Sequence, residues 1–247
     1  MYSKTRRTAT ALVRLCIVVL LASCASAVPW RNEPVGDEVN LAFVLQNNLV
    51  FLPSATLDGR PARILFGSAA PRLLVDPKFG TSDAPHSVQL NGRQSLQLPG
   101  TPLGLGGVAD AIMGADAWGA HTIAVDYHAG LVIFQRQPIQ PAQMSMFSFA
   151  HAANGMPMVN VLIDGRSVSA VVDTTSPDTL VLPRGSAPAG RTRAHVQLAS
   201  ADFGMLDVRL ADVTTPRVGN RVLSKFLLAI DYGRKQVGLW RDPRTAM

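Results

Sequence analysis

Apolar residues in this chain fall in short runs separated by Gly, Pro, Asp and Asn, a pattern that predicts many short strands joined by tight turns rather than a helix bundle. Asp58-Gly59 and Asp164-Gly165 each sit between apolar stretches, which is a hairpin-turn signal. Strands are expected before these turns at 48–57 and 157–163, and after them at 62–66 and 168–172. Two further hairpins are expected, 123–127 with 131–134 turning at His128-Ala129-Gly130, and 228–232 with 236–240 turning at Gly233-Arg234-Lys235. Short helices are expected at 116–120 and 221–226.

These elements occur twice. Residues 56–77 read TLDGRPARILFGSAAPRLLVDP, and residues 162–183 read LIDGRSVSAVVDTTSPDTLVLP. Asp58 and Asp164 are 164 − 58 = 106 positions apart, and Gly67 and Asp173, Pro71 and Pro177, and Pro77 and Pro183 keep that offset. A later block, Ile112-Met113-Gly114 followed by an apolar run ending Asp126-Tyr127, is matched by Arg217-Val218-Gly219 and a run ending Asp231-Tyr232. Gly114 to Gly219 is 219 − 114 = 105. Two copies of about a hundred residues exclude a short-period solenoid.

Composition supports a packed fold: of 247 residues, 47% are hydrophobic and 16% charged. The net charge of +6 is concentrated at the start, where Lys4, Arg6, Arg7 and Arg14 precede any acid. Without those four the balance is 19 basic against 17 acidic, or +2. No later Lys/Arg run carries interleaved aromatics, so no nucleic-acid partner is expected. A basic stretch followed by an apolar run at 15–22 has the form of an export signal and is short for a membrane span. Leu21-Ala22-Ser23-Cys24 resembles the lipobox of bacterial lipoproteins, which implies cleavage after residue 23 and lipidation of Cys24. Ala25, in place of the Asp associated with inner-membrane retention, implies an anchor in the outer membrane of the cell envelope, on its periplasmic side. The alternative is an ordinary secretory signal cut after Ala27, giving a secreted or periplasmic protein. Both cysteines, Cys16 and Cys24, precede the fold, so neither a disulfide nor a thiolate metal site is expected there.

Val171-Val172-Asp173-Thr174-Thr175-Ser176 resembles the catalytic loop of retropepsin-like and pepsin-like aspartic peptidases, in which apolar residues lead into Asp-Thr-Gly or Asp-Ser-Gly. Ile112-Met113-Gly114 resembles the later apolar-apolar-Gly element of that family, and the Asp-Tyr strand ending occurs in its bacterial members. The resemblance covers roughly residues 41–240. It implies an all-β fold, mainly strand with short helices, of two acid-protease-like lobes from an internal duplication. The expected organisation is a signal at 1–23, a tether at 24–40, lobes at 41–136 and 155–242, and a linker at 137–154. Met144, Met146, Phe147 and Phe149 of that linker are expected to be buried in the seam between the lobes, the alternative being a partner-binding strip.

The family's chemistry needs two carboxylates sharing one proton, one from each lobe, so that one activates water while the other protonates the carbonyl oxygen. Asp173 is the candidate catalytic acid of the second copy, whereas Gly67 occupies the acid position of the first. The family's loop Gly is replaced by Ala69 and Thr175, and a β-branched residue would be strained if that position required positive φ. Ser68 and Thr174 keep the hydroxyls that the resemblance assigns to cross-linking the two loops. The function this implies is a catalytically impaired or inactive relative binding an extended peptide or envelope protein in the inter-lobe cleft. The alternative is an active aspartic endopeptidase that uses Asp173.

No cofactor or metal is expected. His86, His121, His128, His151 and His195 show no metal-ligand spacing and read as surface or turn residues. Gly104-Leu105-Gly106-Gly107 lacks the Lys and the strand–helix context of a nucleotide loop, and no Gly-x-Ser-x-Gly elbow is present. Asp116, Asp126 and Asp231 read as turn, cap or surface residues, and Tyr127 and Tyr232 as strand residues at a lobe edge.

Overall fold

The Asp-Gly turns form as expected: Asp58 and Gly59 have φ of 52° and 77°, and Asp164 and Gly165 have φ of 50° and 77°, so both central residues are left-handed as a type I′ hairpin requires. They belong to a computed structural model that describes residues 39–241 apart from 82, 91–93, 119–120, 140, 151, 153–154 and 187–191. The expected signal, Cys24, nearly all of the tether and His151 lie outside the described residues, all of which fall in one compact unit, Pro34–Met247.

The first repeat contributes β1 (Val39–Ala42), β2 (Val44–Gln46), β3 (Leu49–Leu52), β4 (Thr56–Leu57), β5 (Arg60–Pro61), β6 (Ile64–Phe66), β7 (Leu73–Val75), β8 (Pro85–Leu90), β9 (Gln94–Pro102), β10 (Ala111–Met113), β11 (Thr122–Asp126) and β12 (Leu131–Gln135). The connecting segment holds β13 (Ser145–Ser148). The second repeat contributes β14 (Met158–Ile163), β15 (Arg166–Val172), β16 (Leu180–Pro183), β17 (Arg193–Leu198), β18 (Ala201–Ala211), β19 (Arg217–Val218), β20 (Leu227–Asp231) and β21 (Gln236–Trp240). The fold is all-β. Its one helix among the described residues is the four-residue α1 (Asn220–Leu223).

The repeat is visible in the ladders. β6 pairs in parallel with β10, and β15 in parallel with β19. β7 and β16 pair antiparallel with those same partners and in parallel with β9 and β18. The β8–β9 and β17–β18 hairpins complete each set. In the second repeat the set closes into a six-stranded barrel, because β14 bonds to β15 along one edge and to β17 along the other. In the first repeat those two roles fall to separate strands: β3 bonds to β6 and β4 bonds to β8. The chain between them turns at Ser54, φ 56°. The single strand expected at 48–57 is therefore two strands, and a nine-stranded open sheet results.

The repeats join in a six-stranded sheet, β1-β12-β11-β20-β21-β13, in which β11 pairs antiparallel with β20. Ile123 lies opposite Ile230 and Val125 opposite Leu228, all fully buried within one apolar core that includes residues of both repeats. Burying such side chains contributes about 1.5–3 kcal/mol each, so this seam anchors the loops that follow β6 and β15.

Several sequence expectations are corrected. The linker at 137–154 contains a paired edge strand, since β13 bonds to β21. The helix expected at 116–120 is a 3-10 turn at Ala115–Ala117, and the one expected at 221–226 is α1. His86 is buried rather than on the surface, 6% exposed, with Nδ1 2.7 Å from Asp58 Oδ2. Phe149 is buried against Tyr232 of the second repeat, Met146 is 41% exposed, and both line a cavity.

Candidate functional site

β6 and β15 both end in buried loops, Gly67-Ser68-Ala69 and Asp173-Thr174-Thr175, and the fold brings these loops into contact. Ser68 Oγ donates to the Val172 carbonyl at 2.7 Å and accepts the Thr174 N–H at 3.0 Å. Thr174 Oγ1 donates to the Phe66 carbonyl at 2.7 Å and accepts the Ser68 N–H at 2.9 Å. Both hydroxyls are fully enclosed. Four buried backbone groups at the strand ends are thus satisfied by two side chains, each reaching across to the other repeat.

The next layer of support departs from symmetry. The Ser68 carbonyl accepts from the Tyr232 hydroxyl at 2.7 Å. The equivalent Thr174 carbonyl accepts from Asn220 Nδ2 at 2.7 Å, which also donates to the Asn48 carbonyl at 2.6 Å. Tyr127 donates its hydroxyl to Asn220 Oδ1 at 2.7 Å and so fixes that amide. Tyr127 and Tyr232 are therefore supports of the junction and not edge-packing residues alone. Burial and the nearby Asp173 charge push the Tyr127 hydroxyl far above its ordinary value, and burial does the same for Tyr232.

At the two positions that matter for acid chemistry the repeats are unlike. The Asp173 side chain is 2% exposed, and both of its oxygens are engaged. Oδ1 accepts the Thr175 N–H at 2.9 Å and the Thr175 hydroxyl at 2.6 Å, and Oδ2 accepts Arg217 Nη1 at 2.7 Å. The Arg217 side chain is 40% exposed, so the buried carboxylate backs a guanidinium that reaches solvent. Across the junction Gly67 has no side chain, and a Cβ there would stand inside van der Waals contact of Ile112 Cγ2, 3.2 Å from Thr175 Cγ2 and 3.3 Å from Ala70 Cβ. Ile112 and Arg217 are equivalent residues, 217 − 112 = 105 apart, each in parallel register beside the strand that leads into its loop. The junction thus holds one carboxylate, one guanidinium and one isoleucine.

Neither Ala69 nor Thr175 has positive φ, so the strain anticipated at the replaced loop glycine is absent, and Thr175 instead binds Asp173. Asp126 caps its own turn by accepting the His128 and Ala129 N–H groups, and Asp231 accepts the Arg234 N–H. Asp116 accepts the Leu73 N–H, while its burial pushes its carboxyl above the ordinary range. Asp126 and Asp231 keep the turn roles expected of them, whereas Asp116 ties the 3-10 turn to β7. Arg217 and Ile112 were identifiable as a repeat-matched pair, but their roles were missed. The signal available was an Arg standing in an apolar-apolar-Gly element.

The walls beside the junction also differ. In the first repeat Phe51, Leu65 and Ile112 follow one another across β3, β6 and β10 and pack with Leu49, Leu105 and Ala109. Leu105 is held there by its N–H on Asp76 Oδ2 at 3.1 Å. In the second repeat the matching series is Met158, Val171 and Arg217 across β14, β15 and β19. There the wall is open, with a cavity of about 650 Å³ lined by Met146, Phe147, Phe149, Met156, Met158, Val171 and Thr215 among others.

No family model matches the chain, and a comparison with curated proteins finds no match.

Proposed function

We propose that this chain is a non-catalytic relative of the aspartic peptidases that binds an extended peptide or protein segment in the cleft between its two lobes, at the bacterial cell envelope. The observation that carries this reading is the pairing of positions 67 and 173. The first is a glycine covered by Ile112, and the second is an aspartate bound to Arg217. Peptide hydrolysis by this family's chemistry needs two facing acids, whereas here one position is a glycine and the one carboxylate is bound to a guanidinium. The hydroxyl cross-link supports kinship with the family, since it joins the loops that would carry both acids. The cavity, lined by the connecting segment and the second repeat, lies beside neighbouring strands and offers a side-chain pocket to an extended ligand held by main-chain hydrogen bonds.

The test is digestion of unfolded protein substrates by the mature protein from acid to neutral pH, with Asp173→Asn as control. No cleavage is expected from either form. Cleavage by the wild type that disappears in Asp173→Asn would overturn the reading in favour of an active peptidase. The envelope assignment rests on the 21–24 motif. The expected result is a membrane-associated chain with a lipid-modified Cys24, released to the soluble fraction by Cys24→Ser. A mature N-terminus at Val28 would refute the anchor and favour the secretory cut.

A further inference from the structure

Arg217 and the open cavity lie on one face of the second barrel. Met158 is opposite Val171 in the β14–β15 ladder, and Val171 is in register with Arg217 in the β15–β19 ladder, so all three side chains share a face. Thr215, two residues before Arg217, lines the same cavity. The methionines give the cavity an adaptable apolar lining, and none of its lining residues is acidic. Beside it, cross-strand from the lining residue Val171, stands the Arg217 guanidinium, whose Nη1 is fixed on the buried Asp173 while the side chain remains 40% exposed. Beyond it, Ile112 fills the space over Gly67, and the first-repeat wall is packed by its own Leu105 and Ala109.

We propose that this face of the second barrel recognises the C-terminal end of a peptide, with the terminal carboxylate on Arg217 and the last apolar side chain in the methionine-lined cavity. This rests on the peptide-binding reading above and narrows it. A chain seated in the cavity with its end toward β19 meets the solvent-facing Arg217 guanidinium, cross-strand from the lining residue Val171, and ends there. A planar guanidinium matches a carboxylate by paired N–H donors. Asp173 lies behind the guanidinium, so a ligand carboxylate approaches the cation and not the acid. Asp173 is then a positioning residue, acting through Arg217.

The experiment uses the mature protein with methyl-labelled methionine and three peptides. These are acetyl-Ala-Ala-Ala-Phe as the free acid, the same peptide as its C-terminal amide, and acetyl-Ala-Ala-Ala-Phe-Ala-Ala-Ala-amide. The free acid is expected to shift the Met146, Met156 and Met158 methyl signals and to bind on the order of 10-fold or more tightly than either amide, the worth of one charge-assisted hydrogen bond. Arg217→Gln is expected to reduce the acid to the affinity of the amide without changing the amide. Asp173→Asn is expected to shrink the acid-to-amide ratio while the methyl spectrum remains native. Equal binding of acid and amide by the wild type overturns the proposal and needs no variant. If the blocked seven-residue peptide binds as well as the acid, the peptide-binding reading stands and only the end-recognition fails. If none of the three shifts any signal, both fail together.

Discussion

Replacing Thr174 by Val keeps the shape of a fully buried side chain and removes its hydroxyl. That hydroxyl serves two backbone groups of the other repeat, the Phe66 carbonyl at 2.7 Å and the Ser68 N–H at 2.9 Å. Each buried group left unpaired costs about 1–3 kcal/mol, and the added methyl returns part of that, so a net loss of about 2–4 kcal/mol is expected. Ser68→Ala strips the Val172 carbonyl and the Thr174 N–H in the same way, and a similar loss is expected. Together the two changes should cost less than their sum by about 0.5–3 kcal/mol, because one broken pair admits water to the other. The assay is urea unfolding of the mature protein. The midpoint should fall by about 1 M or more with an unchanged slope. Ser169→Ala, whose hydroxyl bonds Asn160 on an exposed surface, serves as a control expected to lie within about 0.5 kcal/mol of wild type. A loss below about 1 kcal/mol for Thr174→Val would refute the reasoning, since it would mean the junction does not depend on the cross-link.

Other outcomes follow from the same geometry. Arg217→Leu leaves the buried Asp173 with only its two Thr175 donors, and a loss of about 1.5–3 kcal/mol is expected in thermal unfolding, discounted from the fully buried case because Arg217 is partly exposed. Gly67→Ala forces a methyl against Ile112, with an expected loss of about 1–3 kcal/mol by overpacking, and Ile112→Ala in the same chain should recover more than half of it. Tyr127 and Tyr232 have hydroxyl pKa values raised above the unfolded 10.0, so their protonated forms support the fold fully below pH 10, and that support is lost as pH rises above it. The expected slope is up to about 1.4 kcal/mol per pH unit for each, and Tyr127→Phe should reduce it when unfolding is measured between pH 10 and 12.

The all-β character and the repeat were legible because both rest on local signals. Asp-Gly turns need two left-handed residues, and the 106-residue offset appears in the letters themselves. The junction hydroxyls Ser68 and Thr174 were legible through the same offset. What stayed hidden was set by long-range pairing. The break at Ser54, which opens the first sheet while the second closes, depends on which partner β4 finds. β13 is a strand because β21 offers an edge, not because Ser145–Ser148 insists on it. His86 looked like a surface residue because nothing local announces that Asp58, 28 positions away, will bond it in a buried site.

The residues at positions 67, 112, 173 and 217 form a matched set. A buried carboxylate without a counter-charge costs several kcal/mol, so Asp173 alone, with position 67 emptied, would be a liability at neutral pH. Arg217 supplies the counter-charge from the position that in the other repeat holds Ile112. Ile112 in turn fills the volume that Gly67 leaves. Exchanging one member alone therefore either crowds the junction or strands a charge, while exchanging matched members does neither. An acid placed at 67 would crowd Ile112 and stand across the junction from a carboxylate already bound to the Arg217 guanidinium. Gly67→Asp is therefore expected to destabilise the chain without producing cleavage.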